Sequence, residues 1–118
     1  MLSRKARLRK NSNFEAVYKK GRCYPDKDIL LFILANELPC PRCGISVSKK
    51  VSKKAVDRNK LKRRLSFVFL EESKHIIKNV DVIIVAKKNL LNYSFVELKV
   101  VVHKLLNKAK LFTEQVSC

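Results

Sequence analysis

The apolar residues of this 118-residue chain cluster in three short runs that are typical of buried strands. Ile29–Ala35 is apolar throughout, and residues 81–86 have the same character after a leading acid. Residues 44–48 alternate apolar and hydroxyl side chains, which predicts a strand with one buried and one polar face. Because strand side chains alternate, three residues of the first strand are expected on one face: Leu30, Phe32 and Leu34.

Helical periodicity predicts a short first helix with an aromatic stripe. Ser12 and Glu15 have the spacing of a capping box at its start. Phe14 and Tyr18 follow one turn apart, and Gly21 is suited to the residue just past the end. We therefore expect a helix between Ser12 and Gly21.

Two longer helices are predicted further along the chain. The second covers about residues 52–72, and its apolar stripe consists of Leu61, Leu65, Val68 and Phe69. The third begins with a capping box formed by Ser94 and Glu97. Its stripe is expected to pack in the core and comprises Phe95, Leu98, Val101, Val102, Leu105, Leu106 and Ala109.

The elements follow one another as helix, strands, helix, strand, helix, which predicts a small α/β sandwich around one sheet. Residues 37–41 contain two prolines and are expected to form a turn. Residues 1–11 are predicted to be a basic, flexible arm, and residues 113–118 a tail. Since no repeat or linker divides the chain, we expect a single domain over residues 1–118.

Charge indicates what this scaffold binds. The chain has 27 Lys or Arg against 10 Asp or Glu, a net charge of +17, and residues 1–64 hold 19 of the basic and 5 of the acidic residues. Self-repulsion of this size usually exists because a polyanion offsets it, so we expect nucleic acid, with an anionic membrane surface as the alternative. No apolar segment follows the basic start, and the longest apolar run is too short to span a bilayer, so a cytoplasmic protein is expected.

The cations are concentrated in residues 49–64, where nine of sixteen residues are Lys or Arg. On a helical projection, the side opposite the apolar stripe carries Lys53, Lys60, Arg63, Arg64 and Phe67. Near the azimuth of the stripe, but one to two turns before its core, lie Lys54, Arg58 and Lys62. Cations in line with the stripe predict that the first turns extend past the core and face a partner, rather than forming only a solvated surface.

Intrinsic catalysis is not predicted. The acids are scattered, neither histidine has a nearby nucleophile or carboxylate in sequence, and two glycines cannot build a phosphate-binding loop. Cys40 and Cys43 have the spacing of a zinc half-site or a redox pair, but no second ligand pair exists, and a strand rather than a helix follows. We interpret them as incidental cysteines in a turn and predict no protein-bound metal or cofactor.

RNA binding suits the residue types better. Lys and Arg displace condensed counterions from phosphates, Arg adds planar bidentate contacts, and Asn59 can donate and accept at a base or sugar. Aromatic rings beside such a surface can stack unpaired bases. Phe14, Tyr18 and Phe32 are candidates, although Phe14 and Phe32 could equally be core residues.

The segment RCGISVSKKVSKKAVDRNKLKRR, residues 42–64, strongly resembles the signature of the bacterial ribonuclease P protein component. That family has a strand ending in a Ser-Lys-Lys-like turn, then a helix with an Arg-Asn-Arg-x-x-Lys-Arg box, which corresponds here to residues 58–64. The resemblance extends in order over about residues 4–112. LRKNSNFEAVYKKG is similar to the opening helix, DVIIVAKK to a later strand, and LNYSFVELKVVVHKLL to the closing helix.

The resemblance implies a fold and a function. The fold would be an α/β (α+β) two-layer sandwich with a four-stranded mixed sheet, similar to the second domain of ribosomal protein S5, with a left-handed βαβ crossover that is rare in general. The chain would be the accessory protein subunit of ribonuclease P, whose RNA removes the 5′ leader of precursor tRNA with RNA-bound Mg²⁺. Neither a membrane nor an obligate protein partner is implied.

Site residues follow from the resemblance by position. The catalytic RNA would be contacted by Lys49, Lys50, Lys53, Lys54, Arg58, Asn59, Lys60, Lys62, Arg63 and Arg64. The single-stranded leader would lie in a cleft lined by Phe14, Tyr18 and Phe32. Lys60 departs from the family box, which has Arg there, so a phosphate contact is expected but a bidentate one is not. Two other functions stay open: a general or ribosomal-type RNA-binding protein, and a protein-only nuclease.

Overall fold

The computed structural model describes residues 7–8, 11–36, 41–76 and 79–109. These residues form three helices and four strands, in the order α1 (Asn11–Lys20), β1 (Arg22–Pro25), β2 (Ile29–Ala35), β3 (Arg42–Ser46), α2 (Ala55–Ser73), β4 (Val80–Ala86) and α3 (Phe95–Lys108). The predictions for residues 1–6, the tail at 113–118 and the turn cysteine Cys40 lie outside the described residues. Leu8, within the predicted flexible arm, is buried, and its N–H donates to the Cys43 carbonyl.

The four strands form one mixed sheet in the order β1-β2-β4-β3. β3 runs parallel to β4, and the other neighbours are antiparallel. The expected four-stranded mixed sheet is therefore confirmed, and β3-α2-β4 is its parallel crossover unit, while the left-handed sense of that unit stays a prediction. The apolar pattern did not identify β1, because this four-residue edge strand is mostly exposed and ends in proline.

The main core lies between one face of the sheet and the helices α2 and α3. Alternate residues of the central strands, such as Leu31 and Ile84, point to this side and are fully buried. All four residues of the predicted α2 stripe, Leu61, Leu65, Val68 and Phe69, are buried there. α1 packs on β2 and β4 from the opposite face, where Val17 and Ile83 are the buried contacts.

Helix starts differ from the predictions at two places. α1 begins at Asn11, so Ser12 lies inside the helix instead of capping it. α2 begins at Ala55, about three residues later than expected, because the preceding residues form a turn closed by the Val51 N–H and the Ser48 carbonyl. The α3 capping box is confirmed: Ser94 Oγ accepts from the Glu97 N–H at 3.1 Å, and Glu97 Oε1 accepts from the Ser94 N–H at 2.9 Å.

Two buried carboxylates, near opposite ends of the sheet, form hydrogen bonds and ion pairs with strand and loop residues. Asp81 accepts a bidentate pair of hydrogen bonds from Arg42 at 2.8 and 2.7 Å and a third from Asn36 at 2.7 Å. Asp28, at the other end, accepts from the Tyr93 hydroxyl and is paired with Lys88, both at 3.0 Å. Because each carboxylate has charged and neutral donors, its burial is compensated.

Candidate nucleic-acid interface

The turn between β3 and α2 presents four exposed lysines, Lys49, Lys50, Lys53 and Lys54. Its shape is held by polar contacts around Ser52, whose hydroxyl donates to Asp57 Oδ2 at 3.2 Å and accepts from the Lys54 N–H at 3.3 Å. Arg58 Nη1 closes the arrangement by donating to the Ser52 carbonyl at 2.9 Å. The lysines thus project from an ordered turn, which limits the backbone conformational entropy lost when they bind a ligand.

The cations of α2 divide by exposure. Asn59, Lys60, Lys62 and Arg63 are exposed, whereas Arg58 and Arg64 are half-buried. Arg64 Nη1 donates at 2.8 Å to the carbonyl of Leu91 in the loop before α3. Sequence reasoning assigned both arginines to the partner alone and missed these backbone bonds, since partners six and 27 residues apart leave no periodic signal. Because a guanidinium has five N–H donors and each of these bonds uses one, both arginines keep donors for a second partner.

Lys54, Arg58 and Lys62 were predicted to extend past the core along the apolar stripe. Lys54 and Lys62 are exposed, in agreement with that prediction, whereas Arg58 folds back onto the turn. Lys62 and Ser66 of α2 line a cavity of about 200 Å³, and Phe14 and Arg7 are also among its lining residues. This cavity joins the basic helix to the side of the sheet on which α1 lies.

The three aromatic residues predicted for a cleft do lie together. The rings of Tyr18 and Phe32 pack edge to face, with centroids 4.9 Å apart and an interplanar angle of 80°. Tyr18 is 42% exposed, while Phe14 and Phe32 are half-buried against the small cluster formed by Leu8, Val17 and Ile83. Phe14 and Phe32 are therefore both packed and accessible, which combines the two alternatives left open by the sequence.

Gly44 is a site residue that sequence reasoning missed. A Cβ at Gly44 would lie 2.5 Å from Phe14 Cζ, so the absence of a side chain lets the Phe14 ring lie on β3. Register aligns Gly44 with Ile83 and Phe32 across three strands, and Phe14 and Phe32 both pack beside Ile83 on this side of the sheet. The available signal was a glycine within a strand pattern, which often marks a close approach of another group.

The remaining reactive groups do not form a catalytic arrangement in the described part of the chain. Burial raises the pKa of the Cys43 thiol, so this cysteine stays protonated and is inert, and Cys23 is exposed on the edge strand. His103 Nδ1 lies 2.5 Å from the buried Glu72 carboxylate. Among the described residues, no group of three His, Cys, Asp or Glu could hold a metal ion. None of the helices described is long and apolar enough to cross a membrane.

Both the sequence and the fold are similar to those of known proteins. A family model described as Ribonuclease P matches residues 2–110. The ribonuclease P protein component of Clostridium kluyveri is 35% identical over 108 residues, covering 90% of this chain and 96% of the relative. That of Bacillus pumilus is 34% identical over 118 residues, covering 97% and 96%. The structure of the Staphylococcus aureus RNase P protein has a TM-score of 0.80 at 32% identity, covering 92% of this chain and 98% of that one.

Proposed function

Because the chain belongs to the ribonuclease P protein family, we propose that its basic surface binds the catalytic RNA and its aromatic cleft binds the 5′ leader of precursor tRNA. As a member, the chain is the protein component of ribonuclease P, the accessory subunit of an endoribonuclease that processes tRNA 5′ ends, and it associates with the ribonuclease P RNA. Which residues serve each RNA is the content of the proposal. We also propose that the protein is located in the cytoplasm, together with these RNAs.

The catalytic RNA is proposed to contact the β3–α2 turn and the outward side of α2. The turn lysines and Lys60, Lys62 and Arg63 are exposed and carry no acid among them. Asp57, the one acid in the stretch, accepts from Ser52 and helps to shape the turn. A surface with this excess of cations matches closely spaced phosphates and releases their counterions on binding.

The leader is proposed to lie along the aromatic cleft. The exposed side chain of Tyr18 beside Phe32 suits an unpaired nucleotide, because every base has a π face and hydrogen-bonding edges. The observation that carries the proposal is the cavity where Lys62 of α2 and Phe14 of α1 meet. A strand leaving the catalytic RNA at α2 could continue there between the cations Lys62 and Arg7 and the ring of Phe14.

Mg²⁺ is proposed to be bound by the RNA subunit. The described residues offer no cluster of three carboxylate, imidazole or thiol groups that fits this ion. The exposed cations would instead neutralise RNA phosphates and so reduce the repulsion between phosphates, which bound Mg²⁺ must otherwise offset. The protein should therefore lower the Mg²⁺ concentration at which the RNA cleaves.

Cleavage of precursor tRNA at low Mg²⁺ tests the proposal when protein alone, RNA alone and both together are compared. We expect cleavage only from the combination, and cleavage by RNA alone only as Mg²⁺ is raised. Activity of the protein alone would indicate a protein-only nuclease. If the protein bound the RNA without stimulating it, the chain would act as a general RNA-binding protein instead.

A further inference from the structure

An exposed aromatic pair lies between α2 and α3. The rings of Phe67 and Phe95 pack edge to face, with centroids 5.3 Å apart and an interplanar angle of 68°. Phe67 is 47% exposed and Phe95 is 40% exposed. Phe95 was predicted to be a core residue, and that prediction is wrong because the first turn of α3 extends beyond the sheet-facing core, which begins at Leu98. Large aromatic side chains are mostly buried, so two exposed rings in contact are informative.

The pair continues the cationic side of α2. Lys60, Arg63 and Phe67 are three and four residues apart, so they are successive neighbours on the helix surface, with Cβ atoms about 5–6 Å apart. All three are exposed. The proposed RNA surface therefore runs without interruption into an aromatic platform one turn further along the same helix.

Charge selects the occupant of this platform. A second copy of the chain would bring another +17 charge against the same cations. A polyanion with aromatic rings of its own fits better, and RNA supplies both phosphates for Lys60 and Arg63 and base faces for Phe67. In an edge-to-face pair, each ring keeps at least one face that its partner does not cover. The platform therefore has a ring face available for stacking.

We propose that Phe67, supported by Phe95, stacks on an unpaired base of the catalytic RNA. This inference rests on the proposed role of α2 and extends it from phosphate contacts to one base contact. Phe95 acts as a positioning residue that holds the Phe67 ring. Stacking requires a nucleotide outside a duplex, so the RNA element concerned is a loop, a bulge or a junction.

A tryptophan reporter tests the contact directly. The chain contains no tryptophan, so Phe67→Trp introduces a single indole at the platform. Titration with the ribonuclease P RNA should quench its emission and protect it from acrylamide. Val100→Trp is the matched control, since Val100 is 60% exposed on α3 and belongs neither to the aromatic pair nor to the cationic side of α2. Unchanged emission of the Phe67→Trp protein at saturating RNA would overturn the proposal.

Affinity measurements separate a stacked base from a purely electrostatic contact. Phe67→Ala and Phe67→Leu should each weaken binding of the ribonuclease P RNA about five-fold to 150-fold, with an unchanged salt slope, because leucine lacks a π face and neither change removes a phosphate contact. Val100→Ala should bind normally, and thermal unfolding of each variant reports on the fold. Normal binding by Phe67→Leu would refute stacking and favour a protein partner at this surface.

Arg63→Ala distinguishes failure of this inference from failure of the proposed function. If Arg63→Ala flattens the salt dependence while Phe67→Ala binds normally, α2 binds RNA and only the stacking contact is absent. If Arg63→Ala also leaves binding and its salt dependence unchanged, Arg63 contacts no phosphate, and both its proposed RNA contact and the stacking contact that continues from it are overturned.

Discussion

Replacing Tyr18 with alanine tests the proposed leader cleft most directly. The change removes the edge-to-face contact with Phe32, which is worth about 0.5–1.5 kcal/mol beyond simple burial. Because Tyr18 is already 42% exposed, the total cost to folding should be lower than the 3–5 kcal/mol typical of a buried aromatic residue, at about 1–2 kcal/mol. A domain of this size should remain folded after such a loss.

Loss of leader binding should be larger than this loss of stability would explain. One base stacked on an aromatic ring contributes about 1–3 kcal/mol, which corresponds to about five-fold to 150-fold in affinity. The assay is the dissociation constant of the reconstituted holoenzyme for precursor tRNA and for mature tRNA, at one salt concentration. Mature tRNA has no leader, so its affinity should not change.

Tyr18→Phe is the control that keeps the ring and removes only the hydroxyl, and we expect precursor binding within about three-fold of the original. The unfolding free energy of each variant shows whether the fold is retained. Equal weakening for precursor and mature tRNA would refute the reasoning, because Tyr18 would then act away from the leader. The same conclusion would follow if Tyr18→Ala bound both RNAs normally.

Four further substitutions test other parts of the structure. Arg63→Ala should reduce the salt slope of RNA binding by about 0.7–0.9 without affecting thermal unfolding. Arg64→Ala should also lower the unfolding free energy by about 1–3 kcal/mol, because the hydrogen bond from Arg64 to a loop carbonyl is lost. Equal stability of the two variants would contradict this expectation. Burial raises the pKa of Asp28, but hydrogen bonds from Lys88 and a tyrosine hydroxyl outweigh burial and leave that pKa below its ordinary value of 3.8. The stability that ionised Asp28 contributes is therefore complete above about pH 4 and is lost as pH falls through the lowered pKa. The Asp28→Asn variant lacks this carboxylate. Between about pH 5 and pH 2, its unfolding free energy in urea should therefore fall less than that of the original protein. Gly21→Ala should destabilise the protein by about 1–3 kcal/mol in the same assay, because its Cβ would meet backbone oxygens at 2.5 and 2.7 Å, and normal stability would show that α1 can move away from β2.

Gly44 offers a substitution that separates site from scaffold. In Gly44→Ala, the new Cβ meets the end of the Phe14 ring at 2.5 Å, and an aromatic ring can move aside more easily than backbone. We expect a small change in unfolding free energy but weaker discrimination of precursor from mature tRNA. Unaltered discrimination would mean that Phe14 does not need its observed position on β3.

Local patterns identified the elements whose stabilisation is itself local or periodic. The α2 stripe of Leu61, Leu65, Val68 and Phe69 is buried as predicted, because a helix that packs on one face must repeat apolar residues every three to four positions. The α3 capping box was identified because its two bonds join residues three apart. β1 was not, since a short exposed edge strand depends on its neighbour rather than on its own apolar residues.

The sequence by itself determined the polyanion partner and the cationic helix, because net charge and helical spacing are properties of the chain before it folds. Only the tertiary structure decided which cations also serve the scaffold, since Arg64 reaches a carbonyl 27 residues away. It also decided that Tyr18 packs on Phe32 and that Phe95 stays exposed beside Phe67. These contacts join residues distant in sequence, and their geometry depends on strand register and on how far each helix extends beyond the sheet.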